Sequence, residues 1–188
     1  MNERPVYPVG ARIVYGTSGV CEVKAVGTPE FAHVDRAKRY YTLSPVYGTE
    51  IIYVPVDTSA FMRPVMTRAE AEALIARIPA IREEWVETKN LQLLSEHYQA
   101  SLRSHDCADL VHLIKTIYAK SATAQRSGKK PSTIDQRYRK RAEELLHGEL
   151  AVALDIPRES VPAYIRARLD QRPAPRARVS CGEDAACV

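Results

Sequence analysis

Up to about residue 65, apolar and polar positions alternate in short runs; beyond it they recur at helical spacing. ARIVY (11–15) and VCEVKAV (20–26) flank GTSG, so a turn over Gly16 to Gly19 joins two β-rich runs. The polar stretch TPEFAHVDRA leads to KRYYTL (38–43), and YGT turns the chain into EIIYVPV (50–56). Pro55 lacks the donor a central ladder needs and should end the last strand. Four short antiparallel strands must curl to hide their edges, which predicts a small SH3/Tudor-like β-barrel.

The period changes after RPV (63–65). TRAE (67–70) has the form of a capping box, with Thr67 at the cap and Glu70 three residues on, and Pro79 ends the helix that it opens. A second helix is expected from about Ile81 to Leu102, with Leu91, Leu94, Tyr98 and Leu102 on one face. A third begins near Asp106 and presents Leu110, Leu113, Ile114 and Ile117. RSGKKPS (126–132) is a loop, Ser132 and Asp135 open a fourth helix through EELLHGELAVAL, and a short helical piece follows Pro157 with Ser160 as its cap. From Asp170 the Pro-, Arg- and Ala-rich tail predicts disorder. The expected fold class is α+β. A β-barrel spans residues 1–66, a helical bundle 67–169 and a disordered tail 170–188.

Composition excludes more than it selects. An apolar content of 45% and a charged content of 27% are those of a globular protein. No apolar run approaches membrane-spanning length, and MNERPVYPVG lacks the apolar core of a signal peptide, so a cytoplasmic protein with no membrane partner is expected. The net charge of +4 suits an anionic partner without requiring one. Cys21 and Cys107 are isolated and read as small buried hydrophobes, while Cys181 and Cys187 flank GEDAA in the tail without zinc-ligand spacing. His105, Cys107 and Asp109 invite a catalytic reading, but Asp106 or Ser104 as a helix cap explains that string better. No nucleophile, base and orienter occur together, and no phosphate loop is present. No catalytic residue, metal, cofactor or small-molecule substrate is therefore expected.

Two features point to binding. Lys129, Lys130, Arg137, Lys140 and Arg141 form the main basic cluster, readable either as phosphate contacts or as a solvated face offset by Glu143 and Glu144. The only tryptophan, Trp85, lies in IREEWVETKNL. On a continuous helix it falls about 135° from the leucine seam, on the side of Arg82, Lys89, Gln92 and Arg103. An exposed indole beside cations suits unpaired nucleic acid; packed with Ile78 and Ile81, the same indole would plug the junction between barrel and bundle.

Several strings, YPVGARIVYGTSGVCEV (7–23), EIIYVPVD (50–57), RPV (63–65), EEW (83–85) and RKRAEELLHGELAVALDIP (139–157), resemble the CarD family of bacterial transcription regulators in order and interval. The β-part also resembles the polymerase-interacting domain of transcription-repair coupling factors. The resemblance implies a factor without enzymatic activity, whose barrel adds an exposed strand edge to the β subunit of RNA polymerase and whose helices reach promoter DNA at the upstream edge of the bubble, stabilising the open complex. It places Ile51, Ile52, Tyr53 and Val54 in the polymerase-binding region and makes Trp85 a minor-groove wedge. Arg82 and Lys89 on the tryptophan's side, and Lys129, Lys130, Arg137, Lys140 and Arg141 in the basic cluster, are the cations that such a DNA contact would draw on. Val86, Glu87 and Thr88 stand where the best-known sequences carry several basic residues, which implies a weak DNA contact sustained by tethering to polymerase. The alternative is an adaptor that binds polymerase or another partner and never touches DNA.

Overall fold

The computed structural model describes residues 7–29, 35, 37–84 and 90–171. Among these residues five antiparallel strands come first: β1 (Arg12–Tyr15), β2 (Gly19–Gly27), β3 (Tyr40–Pro45), β4 (Ile52–Pro55) and β5 (Met62–Pro64), in the sheet order β4-β3-β2-β1-β5. Gly16 to Ser18 form a single 3-10 turn between β1 and β2. It closes on Gly19 at φ 80°, a left-handed conformation that a residue with a Cβ resists. Strand β2 is central and bends at a register shift between Val23 and Ala25. Ile13, Cys21, Val23, Tyr41, Leu43 and Val54 meet on the inner face as the core of this β-module.

The fifth strand corrects the four-strand expectation. Its three residues show no alternation, and Pro64 argues against a strand, so β5 carries almost no local signal. Pairing with β1 creates it, with Val14 opposite Arg63 and Tyr15 opposite Met62. An end strand tolerates the missing N–H of Pro64 because only one of its sides is bonded.

Among the described residues, five α-helices follow: α1 (Arg68–Arg77), α2 (Leu91–Arg103), α3 (Cys107–Arg126), α4 (Thr133–Leu154) and α5 (Val161–Asp170). Both halves of the α1 capping box are present, since Thr67 Oγ1 accepts from Glu70 N–H and Glu70 accepts from Thr67 N–H. Pro79 lies in a 3-10 turn over Ile78–Ala80, as its missing donor dictates. Asp106 caps α3 by accepting from Ala108 N–H at 2.8 Å. Ser132 and Ser160 occupy cap positions but accept no cap hydrogen bond through their side chains.

Helix α2 starts at Leu91, not near Ile81. Asn90 caps it through Oδ1, which accepts from Gln92 and Leu93 N–H, and Ile81 is already extended at φ −73°, ψ 115°. Arg82 to Glu84 are therefore outside the helix, and the angular relation between Arg82 and the leucine seam does not hold. Leu94, Tyr98 and Leu102 are buried as expected, whereas Leu91, in the first turn, is 59% exposed. Trp85, Val86, Glu87, Thr88 and Lys89 lie outside the described residues, as does the tail from Arg172.

The helices enclose their own core, built on Leu74 and Ile75 of α1, Leu113 and Ile117 of α3, and Leu146, Leu150 and Leu154 of α4. Helix α4 also packs on β2, so one element faces both cores. No helix among the described residues is long and apolar enough to cross a membrane.

Candidate functional site

Strand β4 ends the sheet, bonded on one side to β3 with Thr42 opposite Tyr53 and Tyr41 opposite Val54. Alternation divides its residues. Val54 belongs to the core and Ile52 packs against it, while Ile51 and Tyr53 are turned outward, 59% and 42% exposed. Tyr41, facing Val54, is buried. The preceding turn exposes Val46 and Tyr47 as well. The result is a strand edge with apolar and aromatic side chains on its outer face, the form that accepts another strand through main-chain bonds.

The basic residues divide on inspection. Lys129 and Lys130 are exposed in the α3–α4 loop, and Lys140 is exposed on α4; none has an ion-pair partner among the described residues. Arg137 stacks on the Tyr138 ring at 5.1 Å. Arg141 is committed elsewhere: its guanidinium donates to the Thr17 carbonyl in the β1–β2 turn and pairs with Glu144 at 3.1 Å. It shares a face with Arg137 and Lys140, and its bond to Thr17 ties α4 to the β-module. Arg82 is exposed on the segment that follows α1. That segment is anchored to α3: Lys115 donates to the carbonyls of Ile78, at 3.1 Å, and Ile81, and Thr116 donates to that of Glu84.

Sequence reasoning missed the residues that join the two modules. Arg63 of β5 forms a two-pronged ion pair with Glu149 of α4, Nη1 to Oε1 and Nη2 to Oε2 at 2.8 Å. Glu149 Oε1 also accepts from Met66 N–H at 3.1 Å, and Oε2 from the Cys107 thiol at 3.1 Å. The signal was present: Glu149 is a lone charge in LLHGELAVAL, among residues that face a core. Alongside, Tyr47 packs on Gly148 so closely that a Cβ there would lie 3.2 Å from Tyr47 Cε2, and Arg158 covers the tyrosine ring at 5.0 Å.

These contacts absorb the string that suggested catalysis. Burial, then Glu149, pushes the Cys107 thiol up, and burial pushes Cys21 up to about 11, so both stay protonated. The His105 ring stacks on Phe61 at 4.2 Å, and burial followed by Arg63 lowers its pKa. No group of three or more His, Cys, Asp or Glu residues suited to a metal occurs among the described residues. A shallow cleft of ≈ 730 Å³ between β5, α1 and the start of α3 is lined largely by apolar atoms, and its charged members Arg63, Glu70 and Asp106 are already bonded within the protein.

Compared with known proteins, the chain matches no curated sequence. Residues 7–66, the β-module from before β1 to just past β5, match the family model of the CarD-like/TRCF RID domain. The match stops before α1 and covers the exposed β4 edge. Over those residues the chain is similar to the CarD-like/TRCF RID domain family.

Proposed function

We propose that this CarD-like regulator binds the β subunit of RNA polymerase through the β4 edge and promoter DNA through its helical module, at the upstream edge of the bubble, so that the open complex lasts longer. In this reading the division of labour falls between Met66 and Thr67. The observation that carries it is an end strand, inside the matched domain, that turns Ile51 and Tyr53 outward while Val54 holds it to the core. Backbone addition to β4 supplies affinity, and the two outward side chains supply selectivity.

On the DNA side, Lys129, Lys130 and Lys140 are the cations free to meet phosphates, with Arg137 and Arg82 beside them and Trp85 and Lys89 as wedge and flanking charge. Such contacts position without reading sequence. They are few, so tethering to polymerase must raise the effective concentration of the helices at the promoter. The sign of regulation then depends on the promoter: a longer-lived open complex helps where melting limits and hinders where escape limits.

Capture of polymerase by Tyr53→Ala and by the unaltered chain is the first test. The variant should fold normally, because Tyr53 lies outside the core, and should lose most of the binding. Unchanged capture would remove the polymerase contact from β4. Trp85→Ala should retain capture and shorten the open-complex lifetime, and an unchanged lifetime would remove the wedge. A second reading, an adaptor without DNA contact, draws on the commitment of Arg141 to Thr17 and Glu144, which thins the basic face.

A further inference from the structure

Each module has its own core, so the angle between the β4 edge and the helices is set where α4 crosses the sheet. Three places on the β-module grip α4. The β1–β2 turn takes Arg141 at Thr17 and presses Gly19 toward Leu145; the β3–β4 turn lays Tyr47 on Gly148; and β5 supplies Arg63 to Glu149. The first two combine a flexible arginine with apolar surfaces that can slide. The third is a fork on a carboxylate, which fixes both distance and angle.

Its surroundings add to that directionality. Glu149 is 5% exposed and takes four donors, from β5, from Met66 and from Cys107 at the start of α3. Arg63 Nη2 also donates to the His105 carbonyl at 3.1 Å, where His105 adopts φ 57°. Strand, linker, α3 and α4 thus converge on one carboxylate. A buried ion pair is seldom more stabilising than apolar side chains of equal volume, so stability does not account for a charged residue in the apolar stripe of α4.

We propose that the Arg63–Glu149 pair is a positioning device that holds the polymerase-docking edge and the DNA-facing helices in one fixed relation, so that both arms engage together. This rests on the functional reading above. Two tethered contacts reinforce each other only when geometry lets them act at the same time. A loosened junction should therefore leave each contact intact and weaken their combination.

The test uses the full chain carrying Arg63→Met with Glu149→Gln, which keeps an acceptor for Met66 N–H. A second variant, Arg63→Lys, keeps the charge but not the fork. Spin labels at Lys24→Cys on β2 and Gln125→Cys on α3, both exposed, with Cys181 and Cys187 changed to Ser, report the distance between modules. Both variants should melt cooperatively close to the parent temperature and capture polymerase as the parent does, with a broadened distance distribution. Their extension of open-complex lifetime should fall by about tenfold, within what fixed bivalent geometry contributes. A distance distribution as narrow as the parent's, an undiminished lifetime effect, or loss of cooperative melting would each overturn the positioning role. If the parent chain itself leaves open-complex lifetime unchanged, the functional reading fails, and the label distances alone decide whether the pair sets the geometry.

Discussion

Removing either partner of the Lys120–Asp135 ion pair should cost very different amounts. Asp135, in the first turn of α4, is turned inward: Tyr98 Oη donates to its Oδ1 at 3.1 Å, and Lys120 Nζ lies 3.2 Å from Oδ1 and 3.0 Å from Oδ2. The aspartate side chain is 3% exposed and the lysine 34%, so water reaches one partner only. Burial and the neighbouring carboxylate push the Tyr98 phenol up, which keeps it a donor. Lys120→Met strands a buried carboxylate. Breaking such a pair costs about 3–5 kcal/mol when the remaining charge is sealed in. Water entering along the lysine path and the N-terminal helix dipole recover part of that, leaving about 2–3 kcal/mol. Asp135→Asn keeps the acceptor for Tyr98 and lets the lysine swing into water, so its cost is one charge-assisted bond, about 1–1.5 kcal/mol. Urea denaturation at neutral pH, with unchanged slope, measures both. If Asp135→Asn proved the more damaging substitution, assigning the cost by burial would be wrong.

Further outcomes follow from particular contacts. Thr67→Ala removes one half of the α1 capping box and should lower stability by about 1 kcal/mol in the same assay. Burial, with Arg158 nearby, lowers the pKa of His147 below its usual 6.5, so the fold resists a proton that the unfolded chain accepts. Stability should fall as pH drops below about 6.5, and His147→Gln should flatten that upper limb of a pH-dependent melting series. The Glu72 carboxyl is held below the usual 4.5, chiefly by the Tyr164 hydroxyl, so its contribution is present above 4.5 and should be lost only on further acidification. On the DNA side, Lys129→Gln with Lys130→Gln should reduce the salt dependence of polymerase-tethered DNA binding by up to about 0.9 in slope per lost phosphate contact. Arg141→Gln should leave that slope unchanged, because its guanidinium already serves Thr17 and Glu144.

The sequence by itself determined what is local. Alternation and turn residues marked β1 to β4, and the TRAE capping box, Pro79 and Asp106 marked helix ends, because those bonds form within a few residues. It also pointed to the β-module's family and marked β4, but that Tyr53 faces outward from it was decided by the sheet. The α2 start was legible in Asn90 but was overridden by an apolar period carried back to Ile81. Tertiary structure alone decided the rest. Strand β5 exists because β1 pairs with it, Asp135 turns inward because Lys120 and Tyr98 await it, and Arg141 is drawn from the basic face by Thr17. Arg63 and Glu149 stand 86 residues apart, and each looks like an ordinary charge until packing brings them together. Local hydrogen bonds are written in neighbouring residues, whereas a partner supplied by another element exists only once both cores have formed.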